Sequence, residues 1–366
     1  QLEAKRKLDD AAAAKREPEK VEKLLELDAM ELEVGYGLIP LVDEEQNGDL
    51  LARIRSIRRQ FASDLGMIIP PLRIRDNLQL HPGEYRILIK GNEVAQAEMM
   101  MGYLMALNPG EVKKTLEGIP AKEPVFGLPA LWIPEKKKDE AQFAGYTVVD
   151  ISTIMATHLT EVLKAHADEL LGRQDVQKLL DRLAQTSPKA VEELVPNNLP
   201  LGVIQRVLQN LLRERVSIRD LLTIVETLAD YASLSKDPDI LTEYVRQKLA
   251  RSIAKQYETA GVLPVIALDQ RLEDLIREKI VRGEGGSYLS LEPAAAQKIL
   301  QSINQTLDRV SHLNSQPVIL CSPGIRRHLR KLLDRFLPQV PVLSHSEVTP
   351  QTKIQSLGMV SLSHAD

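Results

Sequence analysis

The spacing of apolar and polar residues changes several times along this 366-residue chain, and each change marks a boundary. From Leu50 to Leu65 ("LLARIRSIRRQFASDL") apolar positions recur every three or four residues, at Leu51, Ile54, Ile57, Phe61 and Leu65. That spacing predicts a helix. Ahead of it, "MELEVGYGLIPLVD" reads as a strand with glycines followed by a turn. Beyond it, "PLRIRD", "GEYRILIK" and "NEVAQAEM" read as three short strands. In the second of these Tyr85, Ile87 and Ile89 share one face, and Arg86, Leu88 and Lys90 the other. Residues 102–150 are short strands broken by Pro and Gly and end in "GYTVVD". "ISTIMATHLTEVLKAHADELL" then reads as one long helix that can complete the unit preceding residue 102, so 102–150 reads as an insertion.

Residues 173–258 are helical in pattern throughout. "GVIQRVLQNLLRE" carries Ile204, Val207, Leu208, Leu211 and Leu212 on one stripe; Ser217 is placed to cap "IRDLLTIVETLADYA", and Asp237-Pro238 starts the last helix. From about residue 262 strands alternate with helices: "VLPVIALD", "QRLEDLIREKI", "SYLSLE", "PAAAQKILQSINQTLDRV", "QPVILCS", "GIRRHLRKLLDRFL" and "VPVLSHSEV". Such alternation argues for an α/β layered domain with a substantially parallel sheet. At the other end, residues 1–28 are charged and Ala-rich, with an apolar face only at Leu24, Leu25 and Leu27. A solvated linker is the plain reading of that stretch. An arm docking on a neighbour through those leucines is the functional one.

Composition narrows the classes. At 43% hydrophobic and 27% charged residues the chain is that of a soluble globular protein, and its length asks for several domains. A net charge of -4 argues against nucleic acid as a main partner, since phosphate binding needs a concentrated basic surface. One cysteine excludes an internal disulfide framework and a cysteine-rich metal site. No run approaches the ~18 apolar residues that span a bilayer. The first residue is Gln rather than Met, which leaves open that the chain is a piece of a longer protein whose other part could hold a membrane anchor.

Candidate catalytic signals are few. In "LCSPGIRRH" a thiol, a loop of amides and Arg327 at a helix start resemble a thiol phosphatase, but Pro323 removes one amide, and a small buried Cys321 at a strand end is the better reading. "RGEGGSY" follows a helix and precedes a strand, the reverse of a dinucleotide loop, and reads as a flexible connection. His158 and His166 lie eight apart on one predicted helix with no carboxylate placed to complete a metal site, and His345 and His364 fall in strand-end or tail regions. The acidic Asp220 and Glu226 on the second helix of a helix-turn-helix-like stretch argue against DNA binding. No enzyme, metal or cofactor assignment emerges, and protein binding is the function the residues favour. One stretch fits that role: "EPVFGLPALW", residues 123–132, holds a Phe and the chain's single Trp in an irregular, Pro- and Gly-broken segment. Two aromatics there either close a small core or present a surface.

Longer motifs add a resemblance. "LEVGYGLIPLVD", "RIRSIRRQFASDLGMIIPPLRIRDNLQLHPGEYRILIKG", "VFGLPALWI", "GYTVVDISTIMATHL", "ELLGRQDVQKLLDRL" and "VLQNLLRERVSIRDLLTIVETLADYA" occur in order. Over about residues 33–343 the chain resembles the cytoplasmic half of the flagellar type III export-gate proteins, the FHIPEP family, which also includes the export gates of virulence injectisomes. The resemblance implies a multidomain α+β fold of four subdomains behind a linker at 1–34. A split α/β first subdomain covers 35–101 and 151–170, an inserted β-rich second 102–150, a helical third 171–250 and an α/β layered fourth 251–349, with a tail at 350–366. It implies a non-enzymatic platform on the cytoplasmic side of the bacterial inner membrane, assembled as a nine-membered ring that binds chaperone–substrate complexes and helps order their export. Export ATPase components and an export-switch protein are further implied partners, and no cofactor is. A chaperone-binding dimple is implied at Glu123 (where the family pattern has Asp), Phe126, Val149 and Thr157. A conformational hinge is implied at Gly35, and inter-subunit linker contacts fall to Leu24, Leu25 and Leu27. Beside that resemblance Trp132 reads as an anchor and Phe126 as the contact. The runner-up reading is a structural ring component of a virulence-type gate whose dimple is passive.

Overall fold

The computed structural model describes residues 27–43, 48–110, 112, 114–283, 286–311 and 316–362. Leu24, Leu25 and His364 lie outside them. The chain divides into two compact units, residues 1–61 with 68–165, and residues 62–67 with 166–366.

In the first unit, β1 (Met30–Val34) sits inside a four-stranded sheet of order β2-β1-β3-β4. It pairs parallel with β2 (Arg73–Asp76) and antiparallel with β3 (Glu84–Ile89), which pairs antiparallel with β4 (Asn92–Glu98). A parallel pair needs a long crossover, and the helix Leu50–Asp64 lies within it. The alternation read in "GEYRILIK" is the burial pattern of β3: Tyr85, Ile87 and Ile89 are buried. "IPLV", placed in a turn by pattern, is instead a short helix, Ile39–Val42, with Pro40 in its first turn where a missing N–H costs nothing.

A second, all-antiparallel sheet of order β6-β7-β5-β8 follows in the same unit, made by β5 (Tyr103–Leu107), β6 (Ile119–Lys122), β7 (Pro129–Pro134) and β8 (Thr147–Val149). One face packs Ala106 and Ile133 against Ala141, Ala144 and Tyr146, from and just beyond the helix Lys138–Phe143. Met105 and Trp132, paired in register, face the other way because successive side chains alternate. Trp132 is therefore buried, as an anchor should be, but on the opposite face from the module's own cluster. Asp150 starts the next helix, Ile151–Ala165, accepting from the Thr153 amide at 2.7 Å. This helix stops at Ala165, and a separate turn, Ala167–Leu170, follows, so the long helix expected through Leu171 is two pieces.

The second unit opens with helices around a dry stripe of Ile204, Val207, Leu208, Leu211 and Leu212. The expected Ser217 cap is replaced by Asp220, whose carboxylate accepts from the Thr223 amide at 3.2 Å, so the helix runs Leu221–Tyr231. Ser217 instead donates to the Asp64 carbonyl at 2.6 Å. Asp237 caps Pro238–Lys248 as expected, though that last helix breaks at Leu249 before Ala250–Tyr257. Four strands, β9 (Val262–Leu268), β12 (Val318–Cys321), β13 (Val342–Ser344) and β14 (Lys353–Val360), then form a wholly parallel sheet of order β13-β12-β9-β14. Two expectations change here. The segment expected as a tail carries β14, paired along the full length of β9. "RGEGGSY" joins β10 (Ile280–Gly283) to β11 (Gly286–Leu289) in an antiparallel hairpin of its own, so "SYLSLE" is outside the parallel sheet.

Candidate docking surface around Phe126

The link from β6 to β7 is built around Glu123. Its carboxylate accepts from the Val125 amide and the Phe126 amide, both at 2.8 Å. Its own amide donates to the Leu128 carbonyl and its carbonyl accepts from the Gly127 amide, each at 2.9 Å. Gly127 closes the turn at φ 68°, a conformation that disfavours any side chain. These four bonds hold the turn rigid and leave the Phe126 ring 68% exposed, with Leu128 exposed beside it in sequence. Glu123 itself is 5% exposed and spends both oxygens on the turn, so it shapes this surface from within.

Val149 and Thr157 occupy other elements. Val149 is half-buried on β8, at the sheet edge opposite β6, in one row with Met105, Trp132 and Ile119. Three strand steps separate β6 from β8, about 14 Å at the usual spacing. Thr157 is exposed on the helix Ile151–Ala165, its hydroxyl donating to the Thr153 carbonyl at 2.8 Å. The structure thus binds Glu123 and Phe126 into one turn, and keeps Val149 a sheet's width away.

Gly35 follows β1 with extended backbone, its amide donating to the Glu84 carbonyl at 2.8 Å. A Cβ there would lie 2.0 Å from the His81 carbonyl oxygen and 2.8 Å from that of Pro82. Close backbone approach, not an unusual φ, excludes a side chain. Leu27 is exposed at the start of the described chain.

Pattern reading missed two polar clusters. In the first unit the Tyr85 hydroxyl lies 2.7 Å from His158 Nδ1, both residues buried. The signal was there: His158 falls on the apolar stripe of Ile151, Ile154, Met155, Leu159 and Val162. In the second unit Arg326, fully buried, donates to Glu214 at 2.6 and 3.0 Å and to Glu243 at 2.7 Å. Arg246 links Glu214 at 3.0 Å to Glu347 at 2.6 Å. Burial opposes the Glu214 charge, but Arg246 and Arg326 overcome it and hold the carboxyl down at about 2. This lattice ties the helices Leu201–Arg213 and Pro238–Lys248 to the helix Pro323–Asp334 beside the parallel sheet. Cys321 is buried as expected, its thiol 3.6 Å from the Leu343 carbonyl and pushed up by burial, while Arg327 donates to Ser287 at 2.6 Å. A thiol phosphatase needs an accessible thiolate facing its Arg, and neither condition holds.

The fold of the chain is seen in solved structures. Over 92% of this chain and 99% of its own, the Chlamydia pneumoniae CdsV protein superposes with a TM-score of 0.80 at 26% identity. The nonameric EPEC SctV-C superposes over 92% and 99% with a TM-score of 0.75 at 25% identity. CdsV also appears in a complex with CdsO, at a TM-score of 0.81 and 26% identity, covering 92% of this chain and 98% of that one. The chain belongs to the FHIPEP family, whose pattern matches residues 1–353. It is 48% identical to the flagellar biosynthesis protein FlhA of Bacillus subtilis (strain 168) over 348 residues, 95% of this chain and 51% of that protein. It is 45% identical to FlhA of Escherichia coli (strain K12) over 329 residues, 90% and 47% of the two. The chain therefore spans about half the length of these relatives. No helix among its described residues is long and apolar enough to cross a membrane.

Proposed function

We propose that this chain is the cytoplasmic docking platform of a flagellar type III export gate, binding chaperone–substrate complexes and helping order their export. The observation that carries the reading is the Phe126 turn. A phenylalanine left 68% exposed on a turn fixed by four hydrogen bonds is a preorganised apolar contact. Leu128, exposed two residues further on, extends it, and Val149 and Thr157 are assigned to the same surface. A partner covering all four needs a broad apolar face rather than a single inserted side chain. Glu123 supports the contact by holding the turn.

The wider assembly follows the relatives. Nonameric structures of similar proteins support a ring of this chain, and the CdsV–CdsO complex supports docking of a second export component. The flagellar relatives, twice as long, support attachment to the inner membrane through a part beyond this chain. Leu27, exposed, with Leu24 and Leu25, is assigned to contact a neighbouring subunit. Gly35 serves as the joint where the segment after β1 lies against the 81–84 turn. Its role in conformational change is to let two backbones pass without a side chain between them.

Calorimetry of Phe126→Ala against a purified flagellar export chaperone bound to its cargo tests the reading. Weakened binding by a folded variant is expected. Unchanged affinity would remove Phe126 from the site.

A further inference from the structure

Sheets that do not close have edges, and most edges among the described residues are blunted. β2 carries Arg73, Arg75 and Asp76 in four residues, β4 carries Glu93 and Glu98, and β6 contains Pro120. β8 and β13 are three residues long. Charge, proline and brevity all discourage a foreign strand from pairing. β14 has none of these protections. It is the longest described strand, eight residues with one charge, Lys353, at its first position. It ends the order β13-β12-β9-β14, so β9 bonds one side of it and no described strand bonds the other.

Its side chains add an apolar row. Ile354 and Met359 lie five residues apart, which in a regular strand puts them on opposite faces. The register shift at Leu357 inserts one residue and brings them to the same face, Ile354 beside Leu263 and Met359 beside Ala267. Leu263 and Val265 are buried on that face, opposite the cluster that holds Ile266, Leu268 and Val360. Ile354 and Met359 carry the apolar row of β9 outward, yet they are 49% and 58% exposed. The chain itself does not cover them after β14. Ser302 donates to the Ser361 carbonyl at 2.7 Å and Leu362 packs against the cluster on the other face.

We propose that the outer edge of β14 takes an extended segment of exported polypeptide as a further strand of the sheet, with apolar side chains four residues apart seated on Ile354 and Met359. That spacing is the one at which Leu263 and Ala267 meet the same two residues from the inner side. The proposal rests on the export-platform reading for the source of the strand, but not on the Phe126 surface. An open edge presents N–H and C=O groups in alternation, and another extended chain matches them whatever its sequence. Recognition through the main chain suits a platform that handles many cargoes. A second copy of this chain fits poorly. Pairing β14 with β14 needs a two-fold axis, whereas the nine-membered ring proposed above sets an odd number of subunits about one axis.

NMR titration of this chain with a short synthetic peptide, Val at alternate positions and Thr or Lys between them, tests the edge. The outward amides of β14 should exchange more slowly with the peptide bound. Ile354→Lys and Met359→Lys together should weaken binding about tenfold in a folded protein, while Leu234→Lys, an exposed apolar position elsewhere in the second unit, should not. Two N-methylated peptides, one for each alternate set of residues, report strand pairing itself: one set removes the donors that face β14 and should block binding, and the other faces away and should be tolerated. No binding, equal binding of the two methylated peptides, or unaltered affinity in the folded double-lysine variant overturns the proposal. Phe126→Ala should bind the peptide as the parent does, and a loss there would place the peptide on the other surface and overturn the edge. An unfolded export cargo should displace the peptide; binding of the peptide without displacement overturns the assigned occupant.

Discussion

Replacing Arg326 with Met tests the most heavily built part of the second unit. Arg326 is 1% exposed and is shared between Glu214 and Glu243, with Glu347 at 3.9 Å. Met fills much of the same volume but leaves three carboxylates with Arg246 as the main nearby cation. Removing one member of a buried ion lattice costs about 3–5 kcal/mol, because the remaining charges stay desolvated. The pH dependence gives a second handle. The Glu214 pKa is depressed to about 2 from an ordinary 4.5, so its contribution is complete above pH ~4.5 and is lost as pH falls toward 2. That difference is worth at most about 3 kcal/mol. Urea unfolding followed by circular dichroism should show the second unit's transition moving to lower denaturant at pH 7. The gap between wild type and Arg326→Met should narrow between pH 4.5 and pH 3. A loss below about 1 kcal/mol at pH 7, or a gap that does not change with pH, would refute the view that Arg326 carries this lattice.

Three further outcomes are expected. Gly35→Ala places a methyl 2.0 Å from the His81 carbonyl, so the first unit should lose about 2 kcal/mol or more, read from Trp132 fluorescence, which reports that unit alone. A transition at the wild-type midpoint would mean the backbones part freely there. Cys321 should resist iodoacetamide in the native state and react once unfolded, as mass spectrometry will show; rapid native alkylation would contradict its burial. Glu123→Gln keeps the shape of the acceptor but loses its charge, so the Phe126 amide should exchange faster while the melting midpoint moves little, and an unmoved exchange rate would separate Glu123 from the turn.

Much of the architecture was legible because it rests on local periodicity. The stripe Ile204 to Leu212 and the alternation in "GEYRILIK" correspond to buried faces, since spacing and burial have one cause. Two of the failures share a different cause, a partner distant in the chain. Ser217 looked like a cap, but its hydroxyl is held by Asp64, 153 residues away. "KIQSLGMV" looked like a tail because a largely exposed edge strand shows little alternation, and only β9 gives it a place. The Gly pair in "RGEGGSY" fits a hairpin as well as a connection. Arg326 and Arg327 are neighbours in sequence, yet Arg326 follows the buried stripe of Ile325, Leu329 and Leu333 while Arg327 turns toward Ser287. For the docking surface, Phe126 was legible as an aromatic out of place. The burial of Glu123 was not, because the turn amides that it serves are defined only once the chain is folded.

The central claim is that Phe126 meets a chaperone–cargo complex, and a photo-crosslinking residue at position 126 tests this most directly. Installed in the full-length protein in a flagellated cell, it should join covalently to an export chaperone or its cargo, while the same residue at exposed Leu234 in the second unit should not. Equal capture from both positions, or none from 126 in cells that export normally, would contradict the account.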